Sequence, residues 1–146
     1  MRKDSFISFL SIVLLFFLFA CKNDNDSVEV DFTYSFCDGN SKVWMVNAVY
    51  SGNDLIETRS NLNSKIFIFY KSGRFVFGDL VSLVDYDFED GSYQLESENH
   101  YIELNFQSKK WTFLFEFKDE NLMILRPEKK SESDLTFELI PFPEPS

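Results

Sequence analysis

Acid–base or nucleophilic chemistry needs a base, and this 146-residue chain offers a single histidine, His100. A Ser–His–Asp triad would have to be built on it. His100 stands in Ser97-Glu98-Asn99-His100, a polar run between two strand-like segments, and reads as a solvent-exposed turn residue. Carboxylates are plentiful. Asp85, Asp87 and Glu89 alternate, and Glu96 follows at the spacing of the first and last ligands of an EF-hand loop. The sixth position of that loop must be glycine for its sharp turn. Here it is Asp90, with Gly91 one place late, so the cluster reads as the outward face of a hairpin and no metal is expected. Glu103, Glu116 and Glu138 could pair for glycoside hydrolysis only across a cleft. Each alternates with apolar neighbours, which puts it on an outward face. No Gly-rich phosphate loop or HExxH is present. Of the two cysteines, Cys21 ends an apolar run, and Cys37 beside Phe36 is expected to be a buried or half-buried thiol. These residues predict no catalytic site and no cofactor.

The remaining candidates are aromatic: Trp44, Phe69, Phe75, Phe77, Tyr93, Trp111, Phe113 and Phe115. They could line an apolar pocket that takes a small apolar ligand. They could equally fill a small barrel solid.

The elements that must position them are strands. Residues 42–50 are rich in β-branched and aromatic types, and Ser51-Gly52-Asn53-Asp54 is a turn cluster. Residues 66–70 are continuously apolar; Lys71-Ser72-Gly73 turns, and residues 74–77 return. Gly73 suits the positive φ of a three-residue hairpin loop. Val84, Tyr86 and Phe88 alternate with acidic residues, so a strand is expected there, and Asp90-Gly91 reads as its hairpin turn. Tyr93 and Leu95 continue beyond it. Ile102, Leu104 and Phe106 alternate with polar residues. Trp111, Phe113, Phe115 and Phe117 alternate with Thr112, Leu114 and Glu116, the strongest such run, in which Trp111 is expected to be a core residue. Further strands are predicted at 122–125, before Pro127, and at 135–139, before Pro141, with a charged loop at 128–134 between them. No amphipathic helix is apparent. The pattern predicts an all-β, antiparallel up-and-down meander that closes into a barrel of about eight strands.

Composition narrows the class. Acidic residues outnumber basic ones 24 to 14, a net charge of −10, and such a field repels phosphate backbones, so nucleic acid is not expected as a partner. With 5 Gly and 4 Pro the chain is neither collagen-like nor linker-like. Eighteen Phe, six Tyr and two Trp exclude a wholly disordered chain. One His and two Cys rule out zinc fingers and disulfide scaffolds.

Residues 1–20 begin Met1-Arg2-Lys3 and continue with an apolar stretch to Ala20, the pattern of a secretory signal peptide. Its end, Leu18-Phe19-Ala20-Cys21, resembles the lipobox of bacterial lipoproteins, with Phe19 bulkier than usual. The resemblance implies cleavage before Cys21, a diacylglycerol on its thiol and acylation of its new amine, hence a membrane anchor. Lys22-Asn23-Asp24-Asn25-Asp26 resembles the export signal of Bacteroidota surface lipoproteins. Asp26-Ser27-Val28 resembles the short O-glycosylation motif of that phylum, at Ser27. Trp44, residues 68–75, Gly91-Ser92-Tyr93-Gln94-Leu95 and residues 111–125 together resemble the lipocalin-like domains of secreted bacterial lipoproteins, although the usual Gly before Trp44 is missing. The expected organisation is a signal peptide at 1–20, a lipidated Cys and acidic tether at 21–40, and a barrel at 41–146. The expected place is the outer membrane, exposed at the cell surface, with a periplasm-facing anchor as the alternative. The expected function is non-enzymatic binding of a small apolar molecule or a glycan. The alternative is a structural or inhibitor-type accessory protein that contacts another envelope protein through its outer surface.

Overall fold

The computed structural model describes residues 32–58 and 65–142; Cys21, Ser27 and the leader lie outside them. In chain order the elements are α1 (Thr33–Cys37), β1 (Ser41–Ser51), β2 (Asp54–Thr58), β3 (Lys65–Tyr70), β4 (Arg74–Asp79), α2 (Ser82–Asp85), β5 (Glu89–Glu96), β6 (Tyr101–Asn105), β7 (Lys110–Asp119), β8 (Leu122–Pro127) and β9 (Leu135–Pro141). The sheet runs β2-β1-β3-β4-β5-β6-β7-β8-β9, and β1 also pairs with β9. Eight strands therefore close into an antiparallel barrel, as the alternation predicts, and β2 is an additional strand laid on β1.

Length is what lets β1 do this. Its first half pairs with β3, from Ser41 opposite Tyr70 to Met45 opposite Ile66. Its second half turns back through Gly52 and pairs with β2 on the same edge. The other edge pairs with β9 along Trp44 to Ser51, with a register shift between Val46 and Ala48. A bulge of this kind adds local twist, which helps a short strand set curl into a barrel. At the β3–β4 turn Gly73 has φ +83° and its N–H donates to the Tyr70 carbonyl at 2.9 Å, the left-handed turn position expected of it.

Two apolar clusters form. The inner one holds Trp44, Val46, Val49, Phe67, Phe69, Phe75, Tyr93, Ile102, Leu104, Phe113, Phe115, Met123, Leu125, Phe137 and Leu139, the inward set of the alternating strands. The second lies on the outer wall, where Met45, Ile66, Ile68 and Val76 are buried beneath Leu80, Leu83 and Phe88. It explains the unbroken apolar run of β3: that strand is covered on both faces.

Three sequence expectations need correction. Residues 82–85 are a helical turn, not a strand, and Tyr86 ends it in the left-handed region at φ 59°. The chain must cross from the end of β4 to the start of β5, and folding this crossing onto the outer wall partly buries Leu83 and Phe88. Asp90 and Gly91 then lie inside β5, opposite Val76 and Phe75, and make no turn. Finally, folded structure begins by Phe32, so the stretch read as the end of the tether is α1 and its cap, with Phe36 and Cys37 fully buried.

Candidate functional site

At one end of the barrel α1 acts as a plug. The Phe36 ring meets Phe69, Phe115 and Phe117 edge-on at 5.1–5.3 Å. The Trp44 indole Nε1–H donates to the Phe36 carbonyl at 3.1 Å, tying the plug to β1 and satisfying a buried donor. The Cys37 thiol donates to the Thr33 carbonyl at 3.0 Å and is buried, within the range expected of it. The Tyr93 hydroxyl donates to the Tyr70 carbonyl at 2.8 Å.

Burial first, and then the neighbouring Cys37 thiol, push the Tyr93 phenol up to about 12 from its ordinary 10. The folded state thus holds this proton more tightly than the unfolded chain does. Its contribution is complete below about pH 10 and is lost as pH rises through about 12, a loss that approaches roughly 2–3 kcal/mol. Stability measured across this window should fall for the wild type more steeply than for Tyr93→Phe. Parallel profiles would show that Tyr93 is not the titrating group.

The aromatic candidates come together as one packed body. Trp44, Phe69, Phe75 and Phe113 are fully buried, and Phe115 and Tyr93 nearly so. Phe69 meets Tyr93 at 5.2 Å, Phe77 meets Trp111 at 5.6 Å, and Trp111 meets Phe113 at 6.1 Å. Rings that the candidate set omits complete the packing: Phe36, Phe67, Phe106 and Phe137. Their alternation was visible for Phe106 and Phe137. For Phe36, five residues before the first strand, no periodic signal exists.

Trp111, expected as a core residue, packs against the inner cluster at its edge. It points inward but is only half-buried, as is Phe77. The reason is position. Trp111 lies near the start of β7, at the end of the barrel away from α1, which no described residue plugs as Phe36 plugs the other. There it abuts Phe106 at 4.7 Å and Phe137 at 6.1 Å. The Lys109 ammonium sits 4.6 Å from the Phe106 ring and 4.8 Å from the Trp111 ring, and pairs with Glu89 at 2.7 Å.

Among the described residues the leading concavities are open grooves, two of which reach rings at the edge of the inner cluster, Phe117 and Phe106. A groove of about 800 Å³ runs between α1 and the β7–β8 turn, bordered by Phe32, Tyr34, Asp38, Lys42 and Asn121. A second, of about 420 Å³, crosses the outer face of β5, β6 and β7 at Gln94, Tyr101, Glu103 and Thr112. A third, of about 250 Å³, lies beside Phe88, Phe106 and Lys109. None of the three is lined by any of the eight aromatic candidates.

Outward carboxylates are engaged by cations and amides. Hydrogen bonds from Lys110 and Asn105 hold the Glu103 carboxyl below its ordinary range. Lys118 and Arg126 do the same for Glu116. Glu138 accepts from the Asn47 amide at 2.5 Å, and its charge raises the nearby Tyr50 phenol. Glu103 and Glu116, so held, stay ionised, the opposite of what a general acid requires. His100 is exposed in its predicted turn, at φ 56°, and its ring stacks on Phe115 at 5.4 Å and meets Phe32 at 4.9 Å. Glu89 and Asp90 are occupied by Lys109 and Arg74. Among the described residues no three His, Cys, Asp or Glu side chains converge as a metal group, and no helix is long and apolar enough to cross a membrane.

No family model matches the chain, and no curated protein matches it.

Proposed function

We propose that this protein is a lipid-anchored, non-enzymatic component of a bacterial envelope that binds another envelope protein through its outer surface. One observation carries the reading: the aromatic side chains inside the barrel pack against one another under the α1 plug, and the concavities open on the outside. A barrel filled this way offers recognition surface on its walls and ends. Anchoring rests on the Leu18-Phe19-Ala20-Cys21 segment. Fully extended, the stretch from Cys21 to Phe32 spans at most about 40 Å. Acylation at Cys21 would therefore keep the α1 end near the membrane and leave the Trp111 end outward.

Cys21→Ser should move the protein from the membrane fraction to the soluble extract, and acyl mass should be present on the wild type only. A variant that stays membrane-bound, with no acyl mass on the wild type, would end the anchor reading. Surface exposure has its own expected result. Protease added to intact cells should remove the domain, and alanine at Lys22, Asp24 and Asp26 should protect it while leaving it anchored.

A second reading is favoured by the half-buried Phe77, Phe106 and Trp111 at the unplugged end: a small apolar molecule or glycan fragment seated on those rings. An apolar dye that fluoresces on binding separates the two. Saturable binding that Trp111→Ala abolishes supports the second; an unchanged dye signal supports the first.

A further inference from the structure

We infer that the crossing between β4 and β5 is the docking element of this surface, and that its occupant is a cationic, amphipathic segment of a partner protein. The inference rests on the outer-surface reading above and names the place and the chemistry.

The two most exposed large apolar side chains among the described residues, Tyr86 and Val84, lie here, and Val81 beside them equals the isolated Tyr34 of α1. Val81 is 69 % exposed, Val84 77 % and Tyr86 84 %, all within six positions. A contiguous apolar patch rimmed by polar groups marks an interaction site, whereas scattered exposed residues do not. This patch is rigidly backed. Leu83 and Phe88, from the same segment, pack onto the buried Met45, Ile66 and Val76 of the outer wall. Tyr86 adds a second observation. It holds a left-handed backbone at φ 59°, its N–H donating to the Ser82 carbonyl. That conformation is unfavourable for a bulky side chain. Here it turns the ring outward, although the same segment partly buries two other apolar side chains. Tyrosine supplies large contact area with a polar tip, the type enriched at interface centres.

Charge complementarity selects the occupant. Asp85 and Asp87 flank Tyr86, both are exposed, and neither has an ion-pair partner among the described residues. The neighbouring Glu89 and Asp90 are already paired, with Lys109 and Arg74. Two free carboxylates around an apolar centre call for Lys or Arg flanking apolar side chains. A second copy of the chain, itself at −10, is disfavoured, and so is an anionic bilayer. The crossing also lies toward the barrel end away from α1, the side on which a partner can approach an anchored protein.

The test is an amide-shift titration of the mature chain with a designed peptide of alternating Lys-Lys and Leu-Phe pairs, alongside a twin with Glu in place of Lys. The Lys peptide should shift residues 81–88 saturably, and the Glu twin should not. Val84→Ser with Tyr86→Ser should abolish the shifts. Asp85→Lys with Asp87→Lys should weaken binding on the order of tenfold or more. These positions are exposed, so melting temperature should hold in both variants; should one unfold, the wild-type shift map alone decides. Shifts at the groove beside α1 or over β5–β7 would overturn this assignment and keep the outer-surface reading. Shifts confined to Phe77, Phe106 and Trp111 would overturn both. Equal response to both peptides, no response to either, or binding of phosphatidylglycerol vesicles through residues 81–88, would overturn the assignment to a cationic protein segment.

Discussion

Replacing Gly91 by alanine should unfold the barrel or leave it barely stable. A Cβ at this position would lie 2.1 Å from the Asn105 carbonyl oxygen, 3.0 Å from its carbon, and 2.9 Å from a Phe75 ring carbon. The nearest obstacle is backbone. Relief requires β5 to move away from β6, yet the adjacent Ser92 is paired with that same Asn105. On its other edge Gly91 pairs with Phe75, whose ring is fully buried and has no space to retreat. Overpacking a well-packed site costs ~1–3 kcal/mol when side chains can adjust. Here they cannot, and a loss of about 3 kcal/mol or more is expected from a domain holding roughly 5–15. Gly52→Ala is the control. Its Cβ would meet nothing within 4 Å, so only its positive φ of 60° is penalised, at roughly 1 kcal/mol. Thermal melts of the two variants should differ plainly. Equal melts would mean that β5 and β6 do not approach as closely as described.

Trp44→Ala should be the most damaging truncation of an aromatic side chain, and more damaging than Trp111→Ala. Trp44 is fully buried, abuts Phe117 at 6.0 Å, and donates its indole N–H to the plug at Phe36. Truncation removes ~3–5 kcal/mol of packing. It also leaves the Phe36 carbonyl without its donor. Trp44→Phe isolates that second loss, about 1–3 kcal/mol. Trp111 keeps part of its surface exposed beneath Lys109, so its truncation should cost less than that of Trp44. Melting temperatures in the order wild type, Trp111→Ala, Trp44→Ala test this. The reverse order of the two variants would mean that the barrel is held together from its unplugged end.

The strands of the second half of the chain were legible because one signal places each of them. Ile102 and Leu104, and Phe137 and Leu139, alternate with polar residues, Phe113 and Phe115 flank the exposed Leu114, and a strand with one outward face can satisfy that period in one register only. The segment from Val84 to Phe88 carries the same alternation and folds otherwise. Five residues with period two fit a strand, and they also fit a helical turn that places Leu83 and Phe88 on a wall. Which is lower in free energy depends on Met45, Ile66 and Val76, which lie far away in the chain. All eight aromatic candidates belong to or pack against the inner cluster, but pocket lining and solid core have the same composition. Only ring-to-ring distances separate them.

The sequence by itself determined the all-β class, the antiparallel order, the hairpin at Gly73, the polar turn at His100 and the inward faces of β6, β7 and β9. These follow from period-two alternation and local turn chemistry, which act within a few residues. Tertiary structure alone decided that β1 shares one edge between β2 and β3, that Phe36 plugs the barrel, that Gly91 serves close strand approach, and that Tyr86 faces solvent. Each of these depends on space left or taken by residues distant in the chain, and packing at near-crystalline density makes such space a property of the assembled fold.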